Sequence, residues 1–271
     1  MKYRVGICQF QPRLLQVTRN LRQLEIMLRG IRADLIVLPE LATSGYVFNN
    51  QDEVNGIAED GIAGPTACLL KKLAHDNKTS YIAGFAEKEE DRIYNSAMLV
   101  NPSGEIFIYR KTHLFAEEKK WFQPGDTGFH IFSTQKNIKV GIMVCFDWIF
   151  PESARSLALQ GAQIIAHPAN LVLPWCQQAM LTRSLENRVY TITANRTGKE
   201  SNGRKNLEFT GMSQITNPEG KIIHRMDKIE EGVYIAEIDP DSALDKKVTA
   251  WNDILADRRP ELYINSSIED R

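Results

Sequence analysis

A thiol, an ammonium and a carboxylate each stand at the end of a strand-like run in this chain. Cys145 closes KVGIMVC, Lys111 follows EIFIYR and Glu40 follows LIVLP. The runs are rich in apolar residues and far shorter than a membrane span, so each predicts a strand. Where strands lie parallel, reactive groups gather at their carboxyl ends. A nucleophilic sulfur, a positive charge and a carboxylate brought together there can perform acyl chemistry. Taken singly, the three have plainer explanations: a core cysteine, a surface lysine leaving an edge strand, and a glutamate capping a loop or helix.

The elements that would bring these groups together are repeated along the chain. VGICQFQP from Val5 resembles VGIMVCFD from Val140, and ADLIVLPE from Ala33 resembles AQIIAHPA from Ala162. Each pair flanks a helix. The first falls roughly between Val17 and Gly30, with Leu21, Leu24 and Leu28 on one face; the second is PESARSLALQG, with proline in its first turn and Gly161 at its end. NPSGEI from Asn101 and NPEGKI from Asn217 then predict a hairpin in each half. No low-complexity linker divides the halves. Residues 1–271 are therefore expected to form one domain, sheet against sheet with helices outside.

Composition excludes several classes. The 271 residues are 43% hydrophobic and 25% charged, with a formal net charge of −1, so no electrostatic footprint for nucleic acid is present. The basic clusters RKTH and DRRP are interrupted by Glu117, Glu118, Asp257 and Glu261, as on a solvated surface. MKYRVGICQFQP enters a strand-like run at once, without the pattern of a signal peptide, and a cytoplasmic location without membrane attachment is expected. The 4 cysteines, Cys8, Cys68, Cys145 and Cys176, show neither CxxC pairing nor Cys/His ligand spacing, which argues against disulfides and structural zinc.

LPELATSGY, YRKTHLFAEEKKWFQPGD and GIMVCFDWIFPES, in that order, resemble the nitrilase superfamily of carbon-nitrogen hydrolases. HPANLVLP, LENRVY and NDILADRRPELY extend the likeness over nearly the whole chain. The resemblance implies an α/β fold, a four-layer αββα sandwich with internal pseudo-two-fold duplication. It also implies a Glu-Lys-Cys triad, with Glu40 as general base, Lys111 as the cation and Cys145 as nucleophile. A second glutamate commonly follows the lysine in that family; Glu118 fits the place best, and Glu117 is its rival. The family further implies a homodimer or larger assembly. The tail from roughly 245 to 271 would extend over the dimer, and a helix near the nucleophile would make the contact. Ala154, Leu157 and Ala158 offer such a face, the competing reading being that it packs on its own sheet.

In this reading Glu40 takes the thiol proton, since a cysteine with pKa about 8.5 is mostly protonated at neutral pH. Lys111 and the backbone N–H of Phe146 receive the oxyanion as Cys145 adds to the substrate carbon. Glu40, helped by Glu118, protonates the leaving ammonia or amine, and water then cleaves the thioester. Neither metal nor organic cofactor is required. Tyr46, Trp148 and Asn170 are the expected substrate contacts, with Phe115, Trp121 and Trp175 also near the site. His113 is the alternative partner for the thiol, although a structural role fits its place past the strand better. The expected substrate is a small linear amide or carbamoyl compound, the alternative a small nitrile. Phe146-Asp147, where nitrile-hydrolysing members often carry Trp-Glu, favours the amide. Two further classes stand beside these: a non-catalytic binding member of the fold, opposed by the presence of all three triad residues, and a thiol redox protein, opposed by the lack of a cysteine paired with Cys145.

Overall fold

Side chains that alternate along the strands enter two different cores. On β1 (Tyr3–Gln9), Tyr3, Val5 and Ile7 join one apolar cluster while Cys8 joins another. On β2 (Leu35–Val37), Leu35 and Val37 join the first and Ile36 the second. This is the period of two expected of a strand buried on both faces. In the computed structural model, which describes residues 1–263, the first cluster fills the space between two sheets and continues under the helices of one of them, and the second lies between the other sheet and its helices.

The first half of the chain continues through α1 (Val17–Leu28), α2 (Gln51–Ile57), α3 (Pro65–Asn77), β3 (Ser80–Glu89), β4 (Arg92–Val100) and β5 (Ile106–Arg110). After the short α4 (Glu118–Trp121), the second half builds β6 (Ile131–Ser133), β7 (Lys139–Ile142), α5 (Pro151–Leu159), β8 (Ile164–Ala169), α6 (Cys176–Asn187) and β9 (Tyr190–Asn195). A ribbon of β10 (Lys199–Asn202) and β11 (Lys205–Glu208) precedes β12 (Gln214–Thr216), β13 (Ile222–Arg225) and β14 (Gly232–Ile238).

The duplication is visible in the sheets. One has the order β14-β1-β2-β3-β4-β5; the other, taken from its matching edge, runs β6-β7-β8-β9-β12-β13. In each, three central strands are parallel, an antiparallel strand pairs at one edge, and an antiparallel hairpin closes the other. Both Pro-Gly turns make their hairpins, β4–β5 and β12–β13. Leu24, Leu28, Leu70 and Leu73 from α1 and α3 cover the outer face of the first sheet, while α5 and α6 cover the second. This is the α/β sandwich expected from the sequence.

The structure corrects two local expectations. The ladder of β7 ends at Ile142, so Cys145 lies three residues beyond the strand and opens a 3₁₀ turn, Cys145–Ile149. The face of α5 made by Ala154, Leu157 and Ala158 is fully buried in its own chain and is not available to a partner. Gly141 of β7 explains why: a Cβ there would lie 2.7 Å from a Leu157 methyl, so the bare backbone lets the helix settle on its sheet. Burial of that one leucine is worth about 2 kcal/mol. Residues 245–263 fold back over α6, where Lys246 donates to the carbonyls of Asn187 and Arg188 at 3.0 and 2.8 Å. The end of the tail, expected to extend over a dimer, lies outside the described residues.

Candidate active site

Three turns converge between the sheets, and each contains a non-glycine residue in the left-handed region. Leu41 has φ 45°, Ala116 φ 47° and Cys145 φ 44°. Such a conformation costs about 1–3 kcal/mol per residue and persists only where the surroundings enforce it. The turn after β2 carries Glu40. It is held to β3 by Gly84 N–H donating to Pro39 O (3.0 Å) and Ala42 N–H donating to Gly84 O (2.9 Å). Only glycine permits that approach, since a Cβ at position 84 would come within 2.6 Å of Leu41 N. Lys111 leaves β5 with its N–H on Asn95 O at 2.8 Å.

Glu40, Lys111 and Glu118 meet in a fully enclosed ion cluster. The Lys111 Nζ lies 2.7 Å from Glu40 Oε1 and 2.8 Å from both oxygens of Glu118, and its side chain is 0% exposed. Asn95 Nδ2 also donates to Glu40 Oε1, at 2.7 Å. Glu118 accepts two further bonds, from the Tyr46 hydroxyl at 2.6 Å and Phe115 N–H at 3.2 Å. The other oxygen of Glu40, Oε2, is buried without a protein partner. An ammonium has three N–H bonds, and three carboxylate oxygens lie within 2.8 Å of this one. Glu117 is in a different position altogether. It lies on the surface, paired with Lys120 and Lys205 at 2.6 Å each, and these cations pull its carboxyl down to about 2.

Burial sets the charge states. It opposes charging of Lys111, but Glu118 and Glu40 carry the ammonium well above the ordinary lysine value. Burial also raises the Glu118 carboxyl, against the pull of Lys111. The Cys145 thiol is pushed far up, first by burial and then by Glu40, while Lys111 and the Asn170 backbone N–H draw it back. The resting sulfur is therefore a neutral thiol, which could act as a nucleophile only by giving its proton to a base.

The nucleophile's turn is fixed by two residues that the sequence reading did not single out for that work. Asp147 is completely buried and accepts four bonds: Val144 N–H (2.8 Å), the Tyr109 hydroxyl (2.7 Å), His113 N–H (3.1 Å) and His113 Nδ1–H (2.8 Å). Tyr109 and His113 stand two residues before and after Lys111, so this carboxylate ties the thiol's turn to the lysine's strand end. His113 is thereby engaged with Asp147 and stacks on Phe150 at 3.8 Å. From the other side, His167 Nε2–H donates to the Cys145 carbonyl at 2.8 Å; burial lowers its pKa and keeps the imidazole neutral.

A crevice lined by Cys145, Phe115, Phe146, Trp148, Asn170 and Val172 opens over the sulfur. Both amide atoms of Asn170 are buried there without a protein partner. Phe115 and Val172 also line a larger adjoining cavity, which Tyr46 and Glu118 enter. Trp175 lines neither and is 58% exposed at the start of α6.

The family model described as carbon-nitrogen hydrolase matches residues 4–246. This chain belongs to the carbon-nitrogen hydrolases. Among curated relatives, a nitrilase of Pyrococcus abyssi is 45% identical over 263 residues, covering 96% of this chain and 98% of its own. An N-carbamoylputrescine amidase of Solanum tuberosum is 31% identical, with 91% and 89% covered. The solved carbon-nitrogen hydrolase of Helicobacter pylori superposes with a TM-score of 0.85 at 24% identity, over 97% of each chain; that likeness concerns the fold. The protein is thus an enzyme of the nitrilase superfamily, and in this carbon-nitrogen hydrolase Cys145 occupies the nucleophile's place in its turn. Asn95, which the sequence reading missed, left one signal: a fully buried amide inside the apolar strand IYNSAMLV.

Proposed function

We propose that the enzyme hydrolyses the C–N bond of a small linear amide or carbamoyl compound through a Cys145 thioester. The observation that carries this reading is the closed Glu40–Lys111–Glu118 cluster, with one carboxylate oxygen, Glu40 Oε2, buried without a protein partner. Glu40 Oε2 takes the Cys145 proton as sulfur adds to the carbonyl carbon, and the oxygen becomes an oxyanion. The Lys111 ammonium and the Phe146 N–H at the start of the 3₁₀ turn receive it. Glu40 returns the proton to nitrogen, the C–N bond breaks, and ammonia or an amine leaves. Water, deprotonated by the same carboxylate, attacks the thioester; the carbon–sulfur bond breaks and the acid departs with the thiol restored. Glu118 acts by holding Lys111, and Tyr46 by holding Glu118.

The two open amide atoms of Asn170 support amide over nitrile, because a carboxamide offers both a donor and an acceptor whereas a nitrile nitrogen only accepts. The Pyrococcus abyssi relative supports the second reading, hydrolysis of a small nitrile by the same residues. Ammonia release from matched amides, carbamoyl compounds and nitriles decides between them, with kcat/KM for the best amide expected to exceed its nitrile by about tenfold or more. Cys145→Ala is expected to lose turnover by about 10⁴-fold or more; an active alanine variant would end the mechanism.

We further infer a cytoplasmic homodimer or larger assembly. Four unpaired cysteines suit a reducing compartment. Val248 and Trp251, 60% and 91% exposed in the C-terminal segment, support an interface away from the buried face of α5. A monomer by light scattering at micromolar concentration overturns the dimer.

A further inference from the structure

Beside the triad lies a cavity of about 310 Å³, roughly ten water volumes. It joins the crevice above Cys145 through Phe115 and Val172, which line both. Its apolar wall is completed by Phe48, Trp121, Phe122 and Leu207, while Tyr46 and Asn206 add uncharged polar groups to the lining. A substrate whose carbonyl carbon sits over Cys145 has room to extend its chain only along such adjoining space, so this wall is what its acyl portion meets.

Two ionic groups stand on the lining besides Glu118, and they answer each other. Lys205 Nζ lies 2.6 Å from Glu117 Oε2, donates to Phe48 O at 2.6 Å, and sits 5.3 Å from the centre of the Trp121 ring. Glu117 is matched a second time by Lys120. A cationic chain end would have to displace a lysine from Glu117, and an anionic one would have to displace Glu117 from Lys205. Glu118, the remaining charge, is saturated by Lys111, Tyr46 and Phe115. The cavity therefore rewards apolar area and presents no unpaired charge, and burying an ionic chain end without a partner is costly.

Resting on the hydrolase reading, we propose that the acyl portion of the substrate is an uncharged hydrocarbon chain or ring of about five carbons or more, seated in this cavity. The proposal selects an amide over a carbamoyl compound, whose acyl portion is the carbamoyl group alone and whose chain leaves with the amine. It holds whether the bond attacked belongs to an amide or a nitrile.

The test uses three amides of equal chain length: hexanamide, 6-aminohexanamide and adipamic acid. Titrated by calorimetry into the full-length Cys145→Ala variant, hexanamide is expected to bind at least about tenfold more tightly than either charged analogue. Equal or tighter binding of 6-aminohexanamide would show Glu117 reading a cation, and equal or tighter binding of adipamic acid would show Lys205 reading an anion. Either result, or no binding of any of the three, overturns the proposal. Turnover of the same compounds by the unmodified enzyme is measured separately; if hexanamide binds as expected and is not hydrolysed, the amidase reading fails while the pocket stands. Leu207→Asp, on the cavity wall, is expected to weaken hexanamide binding about tenfold. Unchanged hexanamide binding in that variant would show that the chain lies elsewhere.

Discussion

In the first half of the molecule VGICQF follows β1 to Gln9 and reaches Phe10, buried among the helices; in the second, VGIMVC leaves β7 at Ile142 and the matching place holds Cys145. The exchange also works in reverse. ADLIVLPE ends in Glu40, and the matching AQIIAHPA ends in Ala169, which is plain core. Each half thus carries an apolar residue where the other carries a residue proposed to react. Phe10 keeps ordinary backbone angles, whereas Cys145 is forced to positive φ and held there by Asp147 and His167. A duplicated frame supplies equivalent positions, and strain is stored where the candidate reacting groups stand: Leu41, next to Glu40 in the first half, and Cys145 in the second both take positive φ.

Lys111→Met breaks the comparison most severely after loss of the thiol itself, since it removes the charge that joins the first half to the nucleophile. Activity is expected to fall about 10²–10³-fold, and Lys111→Arg is not expected to restore it, because a planar guanidinium cannot stand where a compact ammonium does. Stability falls too, by about 3 kcal/mol, because two buried carboxylates lose their cation. With Lys111 gone, burial and the nearby Glu40 hold the Glu118 carboxyl above its unfolded value. The loss is smallest near pH 4 and grows as pH rises, which urea unfolding at several pH values would read. A pH-independent loss would mean that both carboxylates find other donors.

Asp147→Asn sharpens the contrast with Phe10 by loosening only the strained turn. Its amide nitrogen faces donors, so kcat is expected to drop about 30-fold with KM little changed, alongside about 2 kcal/mol of stability. A change confined to KM would show that the turn shapes the pocket instead of aiming the sulfur. Glu118→Gln is expected to cost about tenfold in kcat by releasing Lys111, and Glu117→Gln less than about twofold. Reversal of that last order would place the functional glutamate on the surface.

The repeated strand–helix–strand units and both hairpins were legible in the sequence because they rest on local signals: apolar runs, capping glycines and Pro-Gly turns. What stayed hidden depends on partners far along the chain. Glu117 and Glu118 are neighbours in a single turn of helix, and only the arrival of Lys111 and Tyr46 tells the buried one from the exposed one. Ala154, Leu157 and Ala158 give the same small-residue signal whether they cover a partner or their own sheet; Gly141 decides, and it belongs to another element. The apolar run KVGIMVC extends past Ile142, yet the ladder stops there and the chain turns, because Val144 N–H is taken by Asp147. Asp147 itself reads as an ordinary acidic residue until Tyr109 and His113 are seen to converge on it.

Glu40 Oε2 and the two amide atoms of Asn170 are buried beside the sulfur without protein partners, and groups in that condition cost about 1–3 kcal/mol each. The consequence is thermal. A ligand that satisfies them binds the native chain and not the unfolded one, so it delays melting in proportion to how well it fits, by about 2.7 kcal/mol at a hundredfold excess over its Kd. With Cys145→Ala blocking turnover, a library of amides and nitriles ranked by the temperature at which the enzyme unravels becomes a direct measure of which molecule these three atoms were set apart to meet.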